Sequence, residues 1–177
     1  IRKILELTAG FRSAVFTYDH INQGSIFPRI AIQSKAWNNV VIGGAWDQQI
    51  QSLHLLNSNS IGLPTDLWVP STQQFKPQHM ESFTLFMNLN VLKHQWRFEA
   101  YDKALKGLIH IKEGASFDLG SLNTWQDQVV LGKGHSKGFE ASVEGKMESL
   151  KYRLNYTRSH STRHFAEINN GQTFDYL

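Results

Sequence analysis

Apolar and polar residues alternate with a period of two along most of the chain, and no window of helical length carries an apolar stripe at i, i+3, i+4, i+7 of comparable quality. The pattern predicts an all-β protein built as an antiparallel meander of about seven to eight long strands. The first strand, from about Lys3 to Tyr18, sets Leu5, Leu7, Ala9, Phe11, Ser13 and Val15 on one face and Glu6, Thr8, Gly10 and Arg12 on the other. Ile30, Ile32 and Ser34 oppose Arg29, Ala31 and Gln33, and Val40, Ile42, Gly44 and Trp46 oppose Val41, Gly43, Ala45 and Asp47. Phe83, Leu85, Met87 and Leu89 oppose Ser82, Thr84, Phe86 and Asn88; Trp96, Phe98 and Ala100 then oppose Arg97, Glu99, Tyr101 and Lys103. Phe139, Ala141 and Val143 oppose Glu140, Ser142 and Glu144, and Leu150, Tyr152, Leu154 and Tyr156 oppose Lys151, Arg153, Asn155 and Thr157. None of the positions on the first set of faces is charged, whereas every strand but the fourth has a charge on the other.

The connections carry further information. Long ones are expected at Asp19 to Gly24, Ser52 to Lys76, Lys112 to Thr124 and Ser159 to Asn170, and tight ones at Lys35 to Asn39, Asn90 to His94 and Gly145 to Ser149. Long and short alternate, so the long loops would leave one end of the sheet and the tight turns the other. Transmembrane β-barrels have this asymmetry, and the aromatics near strand ends (Tyr18, Trp46, Phe83, Trp96, Tyr152, Tyr156) stand where an interfacial girdle would lie. A soluble β-sandwich or lipocalin-like binding domain would alternate in the same way, with its uncharged face turned inward.

Composition removes several other classes. The chain has 177 residues and no cysteine, which leaves no disulfide framework and no thiolate metal site. Its 18 Lys+Arg against 15 Asp+Glu are scattered, so a nucleic-acid partner is not expected. The longest apolar or glycine run, Val40 to Trp46, is far shorter than a membrane helix requires. The chain begins at Ile1 without a targeting segment, which suggests a processed protein or an excised fragment.

Candidate chemistry is sparse. The eight histidines show no HExxH spacing and read as loop or lumen residues; no metal or cofactor is called for. Gly132 to Gly138 is glycine-rich but fits no phosphate-binding pattern and leads into a strand, so it reads as small residues easing a tilted strand. Ser159, His160 and Ser161 could be imagined as part of an outer-membrane barrel enzyme, but no spacing supports catalysis.

The wording of the loops adds a resemblance. Leu53 to Pro70, LHLLNSNSIGLPTDLWVP, and above all Gly62 to Pro70, is similar to a loop and the following segment of TonB-dependent outer-membrane receptors. Flanking pieces agree: FPRIAIQ from Phe27, KPQ from Lys76, YDKALKGLI from Tyr101, KEGASF from Lys112, GKGHSKGFEASVEG from Gly132, RLNYTRSHSTRHF from Arg153 and INNGQTF from Ile168.

The resemblance implies a barrel of roughly 22 strands in the bacterial outer membrane, plugged by a separate domain. Such receptors import a scarce nutrient (ferric siderophore, haem, cobalamin or oligosaccharide) with energy relayed by the TonB complex. The 177 residues hold no plug segment and no TonB box and would be part of the barrel, with Tyr176 and Leu177 beginning an eighth strand. The uncharged face would meet the lipid bilayer. Glu6, Arg12, Arg29, Arg97, Glu99, Lys103, Glu140, Glu144, Lys151 and Arg153 would line the lumen and hold the plug. For ligand capture by the loops the candidates are His54 and Trp68 in the longest loop and Trp125 and Asp127 near another.

Overall fold

The alternation is realised as one open antiparallel sheet in a computed structural model that describes residues 5–18, 21–58, 65–115 and 122–176. Ten strands follow in chain order: β1 (Leu5–Tyr18), β2 (Ile21–Trp37), β3 (Val40–Gln51), β4 (Leu53–Ser58), β5 (Thr65–Pro70), β6 (Gln78–Val91), β7 (His94–Ile111), β8 (Val129–Met147), β9 (Leu150–Phe165) and β10 (Phe174–Asp175). Eight of them form a next-neighbour meander, β1-β2-β3-β6-β7-β8-β9-β10, whose first and last strands do not meet. Strands β4 and β5 make a separate hairpin inside the longest connection. The helical content among the described residues is two 3-10 turns, Leu122–Gln128 and Asn169–Gly171, and no helix is long and apolar enough to cross a membrane. Lys3, Asp19, Gly62, Leu63, Pro64 and Leu177, which the sequence reading used, lie outside the described residues.

Directly paired residues in a sheet share a face, so the registers test the predicted faces. Leu5 pairs with Ser34, Ser34 with Ile42, Ile42 with Met87, Met87 with Phe98, Phe98 with Ala141 and Ala141 with Tyr156. Val40 continues likewise through Leu89, Trp96 and Val143 to Leu154. The predicted apolar positions therefore stand on one face. One addition comes from a register shift between Lys35 and Trp37, which sets Trp37 opposite Val40 and so onto that face.

Nothing among the described residues covers this face: Leu7 is 67%, Phe11 73%, Leu85 70% and Leu154 65% exposed. Its extent is sharp. Passing from the tight turns toward the long loops, the last apolar residues are Val15, Ile26, Trp46, Phe83, Ala100, Phe139 and Tyr156 on β1, β2, β3, β6, β7, β8 and β9. The next same-face position on each strand is Thr17, Gly24, Gln48, Glu81, Asp102, Lys137 or Arg158.

The resulting band runs obliquely across the strands. Tyr156, its upper limit on β9, lies in the row of Leu5, about ten residues below Val15, its upper limit on β1. At about 3.4 Å per residue and 4.8 Å between strands, that descent over about six strand spacings is a slant of about 50°. On the turn side, Val40 lies in the row of Leu154 while the band continues down β9 to Leu150, a slant of about 35° by the same spacings.

Three expectations about connections are corrected. The connection from Asp19 to Gly24 was expected to be long, but β2 starts at Ile21 and Tyr18 pairs with it. The connection after β9 starts later than predicted, because β9 continues to Phe165. The longest connection is not plain loop, because it folds into the β4–β5 hairpin.

Buried residues gather at the loop end. Leu56, Val69, Phe75, Ile109, Trp125 and Val129 fasten the hairpin and the 3-10 turn to the ends of β7 and β8. Leu108, Val130, Phe165 and Ile168 form a second cluster on the polar side of the same strands. In the glycine-rich stretch, Gly132 lies beneath the ring of Phe165 and Gly138 beneath that of Tyr101, where a Cβ would fall 2.5 Å from the Tyr101 hydroxyl. These glycines thus make room for cross-strand aromatics.

Candidate functional site

The polar face gathers the charges that the alternation assigns to it. Gly10, Arg29 and Asp47 follow one another in one row; Glu6 and Gln33 are paired in another, in which Glu99 lies opposite Glu140. Arg12 faces Phe27, and Arg153 faces Glu144. Some of these groups bind neighbouring strands together, as Gln33 with Glu6 and Arg153 with Glu144, and others pair along one strand, as Arg97 with Glu99. Gln33 Nε2 donates to Glu6 at 2.8 Å, Arg97 Nη2 donates to Glu99 at 2.7 Å, and Arg153 donates through Nε at 2.9 Å and through Nη2 to one oxygen of Glu144. The Lys103 ammonium lies 4.4 Å from the Tyr101 ring centre. Glu6, Arg12, Arg29, Arg97, Glu140 and Arg153 are exposed and Glu99 is half-buried, so the face stays charged and wet.

Recesses open on that face. Near the tight turns, Asn88, Asn90, Arg97, Ser142, Glu144 and Arg153 line a polar hollow. At the loop end, Arg12, Gln23, Ser25, Phe27, Gln49 and Ser52 line another, where one cation is surrounded by amides and hydroxyls. Gln23, Ser25 and Gln49 carried no signal in the sequence, because single polar residues at strand ends look like any solvated position.

The four loop candidates are not brought together. Strand alternation divides the β4–β5 hairpin into two sides: His54, Leu56, Leu67 and Val69 turn toward the core, while Leu53, Leu55 and Trp68 face outward. His54 is fully buried at the hairpin's base. Gln78 Nε2 donates to its Nδ1 at 3.1 Å, so its Nε2–H donates to Ser71 Oγ at 3.0 Å, and the Ser71 hydroxyl donates to the Ser52 carbonyl at 2.9 Å. Both ring nitrogens are used, and burial pushes the imidazole pKa below its ordinary value. In this arrangement His54 presents no nitrogen to an incoming ligand.

Trp125 is likewise a core residue, its ring 5.5 Å from that of Phe75. Asp127, two residues on in the same 3-10 turn, is exposed, and Trp68 is 60% exposed beside Leu55. Of the four, Trp68 and Asp127 are the ones presented to solvent. Ser159 and His160 occupy successive positions of β9, so their side chains leave opposite faces and do not converge on a common substrate atom.

The rim of the apolar band has its own polar contacts. The Trp46 indole N–H donates to Glu81 Oε1 at 2.8 Å, which aims its polar edge at the loop side while its ring lies 6.5 Å from Phe83. At the turn side, the Tyr152 hydroxyl and His94 Nδ1 are 2.8 Å apart across Gly145. Trp37 and Trp96 stand nearby on the same face.

Comparison with protein-family models, with curated proteins and with solved structures returned no match to this chain.

Proposed function

We propose that this chain is part of a transmembrane β-barrel of the bacterial outer membrane, and that the barrel is an active-transport receptor of the TonB-dependent kind. One observation carries the membrane part of the reading. The uncharged face is uncovered among the described residues, carries aromatics near both limits (Trp46, Phe83, Phe139 and Tyr156 on the loop side, Trp37, Trp96 and Tyr152 on the turn side), and slants across the strands by about 35° to 50°, which brackets the strand tilt of membrane barrels. An apolar belt parallel to a bilayer must cross tilted strands at their tilt angle. Its length along β6, from Phe83 to Val91, is about 27 Å at 3.4 Å per residue, or about 20 Å along a normal tilted by about 40°, close to the height of an outer-membrane band. A soluble sandwich or lipocalin-like barrel would need that face covered, yet large apolar side chains over seven strands meet solvent.

The transport part rests on the resemblance of the loops and on the polar face. With the first face against lipid, the face bearing Glu6, Arg12, Arg29, Arg97, Glu99, Glu140 and Arg153 lines the lumen. Mixed charges there suit a plug domain that must dock and yet shift when the TonB complex delivers energy. The ligand, a small molecule or oligosaccharide, enters from the loop end, past Trp68 and Asp127 and toward the recess around Arg12.

The test uses the intact protein that carries this sequence. It is expected in the outer-membrane fraction, with nutrient uptake that stops when the inner-membrane proton gradient is collapsed. Uptake that survives uncoupling means a passive pore, and recovery in the soluble fraction defeats the membrane reading.

A further inference from the structure

The loop-side margin of the apolar band differs from strand to strand. On β3 and β6 the positions just above it are Gln48 and Glu81, neutral and acidic. On β7 that position is Asp102, on β8 and β9 it is Lys137 and Arg158, and further toward the loops this side becomes basic on β7 as well. His79, Lys106, Lys133 and His164 succeed one another along a single row of paired residues. Four residues lower on β8 comes Lys137, and Arg158 pairs with Phe139, the last apolar residue of that strand. Lys106, Lys133, Lys137 and Arg158 are exposed and project from the same side of the sheet as the band.

Acids share this side: Glu81 accepts from the Trp46 indole, and Asp102 stands directly opposite Lys137 in the β7–β8 register. Asp102 lies 2.9 Å from His135 Nε2, and Asp175 lies 3.7 Å from His160 Nε2. Among the described residues none of the four Lys and Arg has an ion-pair partner. Lys106 and Lys133 stand directly opposite each other, an arrangement that destabilises a sheet unless a counter-charge sits between the two ammonium groups.

We infer that this cluster binds the phosphate groups of a lipid headgroup in the leaflet on the loop side. The inference rests on the membrane reading proposed above. Given that reading, the cations hold the depth of the headgroups and face outward, so a lipid whose chains lie along the band brings its phosphates to them. Lys133 and Lys137, four residues apart, are separated by about 14 Å along the strand, so the cluster spans a headgroup with two phosphates better than a single small anion. Guanidinium and ammonium groups supply charge-assisted hydrogen bonds to phosphate oxygens.

The experiment takes the intact protein, purified in a neutral detergent and loaded with lipid A, with the same lipid after removal of its phosphates, or with inorganic phosphate. Retained lipid is counted by native mass spectrometry. Lipid A is expected to bind, the dephosphorylated lipid to be lost, and millimolar inorganic phosphate to leave lipid A in place. Each cation near a charged lipid surface accounts for roughly a fivefold change, so K106Q/K133Q/K137Q/R158Q together should weaken retention by about a hundredfold or more. K103Q/K151Q, on the polar face, should leave it unchanged.

Equal retention by the fourfold variant and the parent overturns the inference, as does equal binding of the dephosphorylated lipid. Full displacement by inorganic phosphate also overturns it and points to a free-ion site. Outer-membrane fractionation of both proteins separates this result from the membrane reading: a variant that fractionates normally but retains lipid overturns the lipid site alone, whereas a soluble parent overturns both.

Discussion

His54 shows how a residue's chemistry is decided by partners the sequence does not announce. As one histidine in a long loop it reads as a ligand group, but Ser71 and Gln78, 17 and 24 residues away, take both ring nitrogens. The imidazole therefore fastens the β4–β5 hairpin. Replacing His54 by Ala leaves Ser71 and Gln78 short of partners inside a buried site, a loss of about 1–3 kcal/mol. Amide exchange across Leu53–Ser58 and Thr65–Pro70 is expected to accelerate, with the exchange of β6 unchanged. The same bond network gives a pH dependence of definite sign. Burial lowers the folded-state pKa below the ordinary 6.5, so the unfolded hairpin binds its proton first as pH falls. The hairpin keeps its full stability above 6.5 and loses it progressively below, down to the depressed folded value. Exchange rates for the hairpin that are flat between pH 7 and pH 5, or that slow toward acid once intrinsic rates are removed, would contradict this assignment. The polar-face residues were legible where His54 was not, because alternation alone fixes the side a strand residue faces.

At the scale of the strand, face decides what a substitution costs. Leu154 and Asn155 are neighbours on β9 and are both exposed, yet one lies mid-band and the other on the polar face beside Ser142. If the band meets lipid, Leu154→Arg costs about 2–4 kcal/mol and Asn155→Arg close to nothing, read by denaturant unfolding of the intact protein in phospholipid vesicles. If the band meets water, both changes fall within about 0.5 kcal/mol, as surface substitutions do. The same contrast explains which elements could be read in advance. Inside the band one face is apolar and the other polar, so Val40–Trp46, Phe83–Leu89 and Leu150–Tyr156 stood out with the correct register. Above it both faces are hydrophilic, as at Asp102, Lys103 and Lys106 or Lys133 to Lys137, and the period vanishes although β7 and β8 continue. For that reason β9 is expected to end before Ser159 although it runs to Phe165, whereas the connection expected from Lys112 agrees with the end of β7 at Ile111. The β4–β5 hairpin escaped for the opposite reason: Leu53, Leu55 and Leu56 are apolar on both sides, one packed against Trp125 and Ile109 and the other open.

The whole molecule is a sheet with unfinished edges. The outer edge of β1 has no partner among the described residues, and β9 is paired on its far side only where Phe174 and Asp175 meet Arg163 and Thr162. Most of β9, from Leu150 onward, offers its backbone groups to any extended chain, and such edges are templates for pairing with another copy. The apolar band adds a second drive, since it is far larger than the patches a soluble monomer leaves uncovered. The buried clusters do not compensate, because they lie at the loop end and, among the described residues, leave the centre of the sheet without a second layer. The 177 residues purified alone are therefore expected to associate in plain buffer, by edge pairing or by closing two bands together, and to disperse only when detergent covers the band. Sedimentation velocity with and without detergent reads this directly. A cooperative monomer in plain buffer would require the band to be buried within one chain, and since eight strands with free edges cannot both stay open and hide it, that result would replace the open sheet by a closed soluble barrel and remove lipid from the argument.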